Sequence, residues 1–173
     1  MTFKPSMYPN LKSIHLHTNG TLWNESNWSK MTNVHRFIKS AEISVNAATK
    51  DTYENKTRLG GNWDNLLSNL KFISTILTLR KVKTSFVVQQ SNYKEMALFL
   101  EIMQSIFKQK TKVFFGKINN WGTFDSHMFE LLKIWDSNHP EHKEFLNELK
   151  KVATNPYVFH NMHDLLESKK SII

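Results

Sequence analysis

Short runs of β-forming residues take turns with longer runs of helical periodicity, and this alternation restricts the fold of the chain more than any other feature. Residues 11–17 alternate, with Leu11, Ser13, His15 and His17 on one side and Lys12, Ile14 and Leu16 on the other. They end in Thr18-Asn19-Gly20, where Asn and Gly tolerate the positive φ of a turn. Further strands are predicted over residues 42–46, 83–88 and 112–115. The third of these carries the continuous apolar stretch Phe86-Val87-Val88 expected of a strand covered on both faces. Between the strands, Trp28, Met31, Val34, His35 and Ile38 fall near helical spacing, predicting a helix over residues 25–38. Thr49 is placed to cap a short helix over residues 50–56, which the paired glycines Gly60 and Gly61 end. Trp63, Leu66, Leu67, Leu70, Ile73, Ile76 and Leu77 then share one face of an amphipathic helix. Residues 92–107 give another, with Met96, Phe99, Leu100, Met103 and Ile106 inward.

Strands alternating with helices of this length imply right-handed crossovers and a parallel sheet. The expected fold class is therefore α/β, with a four-stranded parallel sheet of repeating strand–helix units over residues 1–116. Residues 117–173 read differently, as a loop over 117–125 and two short helices near 126–134 and 140–152, with Pro140 suited to a first turn. This C-terminal part is expected to pack on the same domain. Beyond Asn155-Pro156 little periodicity is visible.

The chain of 173 residues has no cysteine. That excludes disulfides, thiolate zinc sites, a cysteine nucleophile and any iron–sulfur cluster held by its own thiolates. The net charge of +8 is uneven: residues 1–116 hold 16 Lys and Arg against 7 Asp and Glu, and residues 117–173 hold 7 against 8. The cations are scattered, which reads as solubilising charge rather than as a nucleic-acid surface. No window approaches the roughly 18 apolar residues of a membrane helix. The opening Met1-Thr2-Phe3-Lys4-Pro5 has no apolar stretch of the export type, so a cytoplasmic location is expected. Three histidine pairs (His15 with His17, His139 with His142, His160 with His163) have ligand-compatible spacing. None has a third ligand fixed by the sequence, so no metal site is expected. Trp121, Phe124, Phe129 and Trp135 form an aromatic run expected to pin the C-terminal segment onto the sheet, with a stacking surface as the alternative.

Several segments together resemble a known family. They are the turn Thr18-Asn19-Gly20-Thr21-Leu22, the run Ile43-Ser44-Val45-Asn46-Ala47-Ala48-Thr49, the segment Arg58-Leu59-Gly60-Gly61-Asn62-Trp63, and Phe86-Val87-Val88-Gln89 with Asn92-Tyr93-Lys94-Glu95-Met96. The loop Asn119-Asn120-Trp121-Gly122-Thr123-Phe124 and the segment Trp135-Asp136 with His139-Pro140-Glu141-His142 follow in order. Over roughly residues 8–145 this succession is similar to radical S-adenosylmethionine (SAM) proteins of the SPASM/twitch group. It corresponds only to the later strands of their partial barrel, because the cluster-binding cysteines of the first strand are absent. The resemblance implies an incomplete radical-SAM-like barrel without an iron–sulfur cluster, acting as a noncatalytic or partner-completed subunit. The resemblance further implies a retained SAM or nucleotide pocket, with Ser44 and Asn46 near the ribose and carboxylate of SAM, Arg58 as a carboxylate partner, and Gln89 and Asn92 beside the adenine. It also implies that residues 11–17 form an uncovered sheet edge and that an apolar barrel interior lies open. A homodimer or a partner chain is expected to cover both, unless Phe3, Met7 and Tyr8 fold back over them. The alternative is a small structural or binding protein, for an acidic partner or nucleic acid, that kept the fold alone.

Overall fold

The computed structural model describes residues 4–108 and 111–167. Five strands form one sheet in sequential order, β1 (Ile14–Thr18), β2 (Ile38–Ser44), β3 (Lys81–Val88), β4 (Thr111–Lys117) and β5 (Val158–His160). Every neighbouring pair is parallel. The α/β class and the parallel sheet are as expected, but the count of four is corrected to five. Val158–His160 supplies the extra strand, pairing Val113 with Val158 and Phe115 with His160. The sheet is open, with β1 and β5 at its edges, and no barrel is closed.

The helices are α1 (Glu25–Ser29), α2 (Lys50–Thr52, continued by a π-helical turn over Tyr53–Thr57), α3 (Trp63–Thr75), α4 (Met96–Phe107), α5 (Ser126–Leu132), α6 (His142–Ala153) and α7 (His163–Glu167). The predicted helix over residues 25–38 is the clearest local miss. It ends at Ser29, and residues 35–37 make a separate 3-10 turn that runs into β2. Asn24 caps α1 by accepting from the Asn27 N–H, and α1 buries no residue, so nothing in the core extends it.

One face of the sheet carries the core. Ala41 and Ile43 of β2, Val82, Phe86 and Val88 of β3, and Val113 and Phe115 of β4 are all buried. They pack with Leu66, Leu70 and Ile73 of α3, Phe99 and Met103 of α4, and Phe145 and Leu149 of α6. Three rings, Phe86, Phe99 and Phe115, meet tilted or edge-on with centroids 4.9–6.1 Å apart, the preferred geometry for aromatic pairs.

The second face has no helix over it, and it is not apolar as expected. The register lines up His17, Glu42, Lys83 and Lys112 in one row, and Ser44, Ser85, Phe114 and Phe159 in the next. Lys83 pairs with Glu42 at 2.6 Å, and His15 meets the Ser40 hydroxyl at 2.8 Å. The residues alternating with the core positions of β2 and β3 are Ser40, Glu42, Ser44, Lys81, Lys83, Ser85 and Val87, so the two-residue period itself makes this face mostly polar.

Candidate ligand cleft at the strand ends

In an open parallel sheet the loops that follow the strands form the place where ligands bind. Here each of the first loops is held by a side chain from another element. Asn69 of α3 is buried and its amide donates to the carbonyls of Gly20 (3.0 Å) and Thr21 (2.9 Å), which fixes the turn after β1. That turn needs Gly20: its φ is +76°, and a Cβ would lie 3.1 Å from Ile43 and 3.2 Å from Leu66. The Glu95 carboxylate accepts from the Ala48 N–H and from the Thr49 and Thr52 hydroxyls, tying the loop after β2 to the start of α4.

Asn92 joins the ends of β2 and β3. Its carbonyl oxygen accepts from the Gln89 N–H (2.9 Å), and its amide donates to the carbonyls of Asn46 (3.0 Å) and Val87 (2.9 Å). Asn46 adopts φ of +68°, a left-handed conformation that Asn tolerates better than other side chains. Its side-chain oxygen accepts from the Val87 N–H at 2.9 Å and so prolongs the β2–β3 ladder. The Asn46 amide nitrogen has no partner among the described residues.

Asn46 and Gln89 open onto a cavity of about 400 Å³ whose wall also includes Phe114, Asn119, Trp121 and Phe124. Gly116 lies in its floor, where a Cβ would come within 2.9 Å of the Phe114 ring, so the glycine lets that ring lie flat along the strand. The loop over the cavity is built by Asn120. Its side-chain oxygen accepts from the N–H groups of Gly122 and Phe124, and its amide donates to the Phe124 carbonyl at 2.8 Å. Held this way, Trp121 stands 86% exposed at the rim. On the far side Lys117 is bound by Asp164 at 2.8 and 2.9 Å, and the Lys117 ammonium keeps the Asp164 carboxyl below its usual range.

The predicted site residues therefore separate. Asn46 and Gln89 line the cavity, and Asn92 is buried behind it with its amide and carbonyl both used inside the protein. Ser44 lies on the open face, where the Ser85 hydroxyl donates to it at 3.2 Å. Arg58 does not line the cavity. Its guanidinium lies 5.9 Å from the centre of the Tyr53 ring, and its Nε is buried without a hydrogen-bond partner. The aromatic run also divides. Trp135 does pin the C-terminal segment, donating from its indole to the Ile118 carbonyl and meeting Phe129 edge-on, whereas Trp121 pins nothing. Of the other cavity residues, Asn119 belongs to the loop quoted for the resemblance, whereas Asn161 follows β5 and carries no signal in the sequence.

A larger recess, about 620 Å³, lies between α5 and residues 133–141. Several of its polar groups are already engaged within the protein. Lys133 pairs with Glu130 and Asp136, and Gln90 donates to Glu141. The His139 ring accepts from the Glu141 N–H through Nδ1, so its Nε2 donates to the Leu131 carbonyl, and His142 donates to that of Ile134. His160 and His163 do approach, with ring centres 4.2 Å apart, but the His160 Nδ1 is taken by the Met162 N–H. Burial, and then His163, lower the pKa of His160. Among the described residues no three His, Asp or Glu side chains are grouped to hold a metal, and the chain has no cysteine, so these residues do not fit an iron–sulfur cluster. No helix among them is long and apolar enough to cross a membrane. No family model and no curated protein matches the chain.

Proposed function

We propose that the chain is a noncatalytic binding subunit on a radical-SAM-like scaffold, and that the cavity at the strand ends takes SAM or a related nucleoside. One observation carries the reading. Asn46 at the end of β2 and Gln89 at the end of β3 converge with Trp121 and Phe124 on one cavity at the ligand-binding end of a parallel sheet. Its wall offers the chemistry a nucleoside needs. The Asn46 side-chain amide is an open donor, the Gln89 side-chain Oε1 is an open acceptor while its amide donates to Ser91, and the rings offer a stacking surface. The one lysine in the wall, Lys117, is spent on Asp164, which favours the base and sugar over a phosphate tail. Arg58 has no direct part in this reading, since it stands outside the cavity.

A protein that kept the fold alone is the second reading, favoured by Asn92 being engaged with the protein's own groups and by Arg58 lying outside the cavity. Isothermal titration with SAM and S-adenosylhomocysteine separates the two. The first reading expects saturable binding of at least millimolar affinity, weakened about tenfold by Trp121→Ala, in line with the stacking energy of a base on an aromatic ring. Absence of binding by either ligand would leave the second reading.

A further inference from the structure

The two edges of the sheet are unlike. β5 is a three-residue strand, too short to template another chain, and α7 follows it directly. β1 offers five residues, and among the described residues its only strand partner is β2. No backbone hydrogen bond joins residues 4–13 to β1, Met7 and Tyr8 are more than half exposed, and Phe3 lies outside the described residues. Beside the edge the helical layer is thin. α1 buries no residue, and a cavity of about 270 Å³ opens between Leu16, Leu22, Trp23, Trp28 and Met31. Leu22 is 76% exposed there and Met31 37%. Trp23, Trp28 and His35 stack in series behind it, which makes its inner wall rigid and aromatic.

We infer that this edge and cavity form the docking site for one extended strand of a different, acidic polypeptide. The N–H and C=O groups of Ile14–Thr18 that point away from β2, unpaired among the described residues, call for a backbone, and the adjoining cavity calls for an apolar side chain from it. Charge decides between partners. Lys12 precedes β1, Lys30 caps α1, and Arg36 and Lys39 flank the start of β2, none of them in an ion pair among the described residues. Glu25 is the single carboxylate between residues 12 and 39. A second copy of the chain would set these cations against themselves, whereas an acidic strand would neutralise them. Nucleic acid would answer the charge but leave the backbone edge and the cavity unfilled. The inference stands independently of the nucleoside reading, because it uses none of the same residues.

The test uses the full chain and synthetic peptides of alternating Val and Thr with a central Leu, flanked at both ends by Glu or, as control, by Lys. The Glu-flanked peptide should bind, slow amide exchange along Ile14–Thr18, and lose about tenfold in affinity on Leu22→Glu or Met31→Glu, the loss expected for one apolar anchor. Leu22 is exposed enough for its substitution to leave the fold intact, which far-ultraviolet circular dichroism checks. Equal binding of the Lys-flanked peptide would overturn the inference. So would a doubling of mass with concentration in light scattering, or tight binding of a single-stranded oligonucleotide that leaves Ile14–Thr18 exchange unchanged.

Discussion

On β3, Val82, Phe86 and Val88 point into the aromatic core, while Lys83 and Val87 on the same strand reach toward solvent. β2 repeats the division, with Ala41 and Ile43 inward and Glu42 and Ser44 outward. All-parallel sheets are usually covered on both faces and read as continuous apolar runs. Here only the helix side is treated in that way. The open side carries the Lys83–Glu42 ion pair and the hydroxyls of Ser40, Ser44 and Ser85 beside Val87, Phe114 and Phe159, and it leads to the cavity. If the proposed cleft binds a ligand, stability and binding lie on opposite faces of the same strands, and mutations should separate them.

The largest effect is expected from Phe86→Ala. Removing a fully buried ring that meets Phe99 and Phe115 should cost about 3–5 kcal/mol in denaturant unfolding. Lys83→Ala on the other face breaks a half-exposed ion pair and should cost under about 1 kcal/mol. Equal losses would end the comparison between the faces. Asn92→Ala comes next: it strands the Gln89 N–H and the Asn46 and Val87 carbonyls, at about 1–3 kcal/mol, and should loosen the cavity wall. If ligand affinity survived that change intact, the staple would have no part in shaping the cleft.

Tyr93 sharpens the comparison through pH. Its buried hydroxyl donates to Glu144 at 2.7 Å with Glu141 at 3.0 Å, and burial first, then these carboxylates, raise its pKa far above the usual tyrosine value. The folded state keeps this proton where the unfolded chain loses it, near pH 10. Above that pH the unfolded state binds fewer protons, so stability should fall as pH rises. Tyr93→Phe should flatten this alkaline limb in thermal melts across pH, and an unchanged limb would assign it to other groups. The smallest effect is a gain. The Thr84 hydroxyl is buried on the core face without a partner, so Thr84→Val should stabilise by about 1 kcal/mol. A loss would mean that the hydroxyl has a partner, such as a buried water.

Much of the scaffold is legible because β3, β4, α3 and α4 bury enough residues for their periods to appear in the sequence, whereas β2 begins at Ile38 rather than at the expected residue 42. Residues 25–38 were misread because Trp28 and Val34 are indeed partly or fully buried, but from a short helix and a turn rather than from one continuous face. β5 escaped because three residues show no period. Its identity as a strand comes from pairing with β4, a tertiary fact. The polar open face was present in Ser40, Glu42, Ser44, Lys83 and Ser85, and the expectation of an apolar interior came from resemblance rather than from those residues. At the cavity, Asn46 and Gln89 come from the resemblance, and both follow strands of the sheet. Whether an asparagine there faces a cavity, as Asn46 does, or staples a loop, as Asn92 does, depends on which carbonyls come within reach, and a linear sequence does not encode that directly.

The most direct test of a nucleoside cleft on the open side is chemical-shift mapping of the labelled protein titrated with S-adenosylhomocysteine. The account predicts saturating shifts at the amides of Asn46, Gln89, Gly116 and Trp121 and at the Trp121 indole, with Leu70, Phe99 and Met103 in the helical layer unmoved. Shifts confined to the recess of Met128, Leu131 and His139, or to the β1 edge, would contradict it, as would a spectrum that does not change at all.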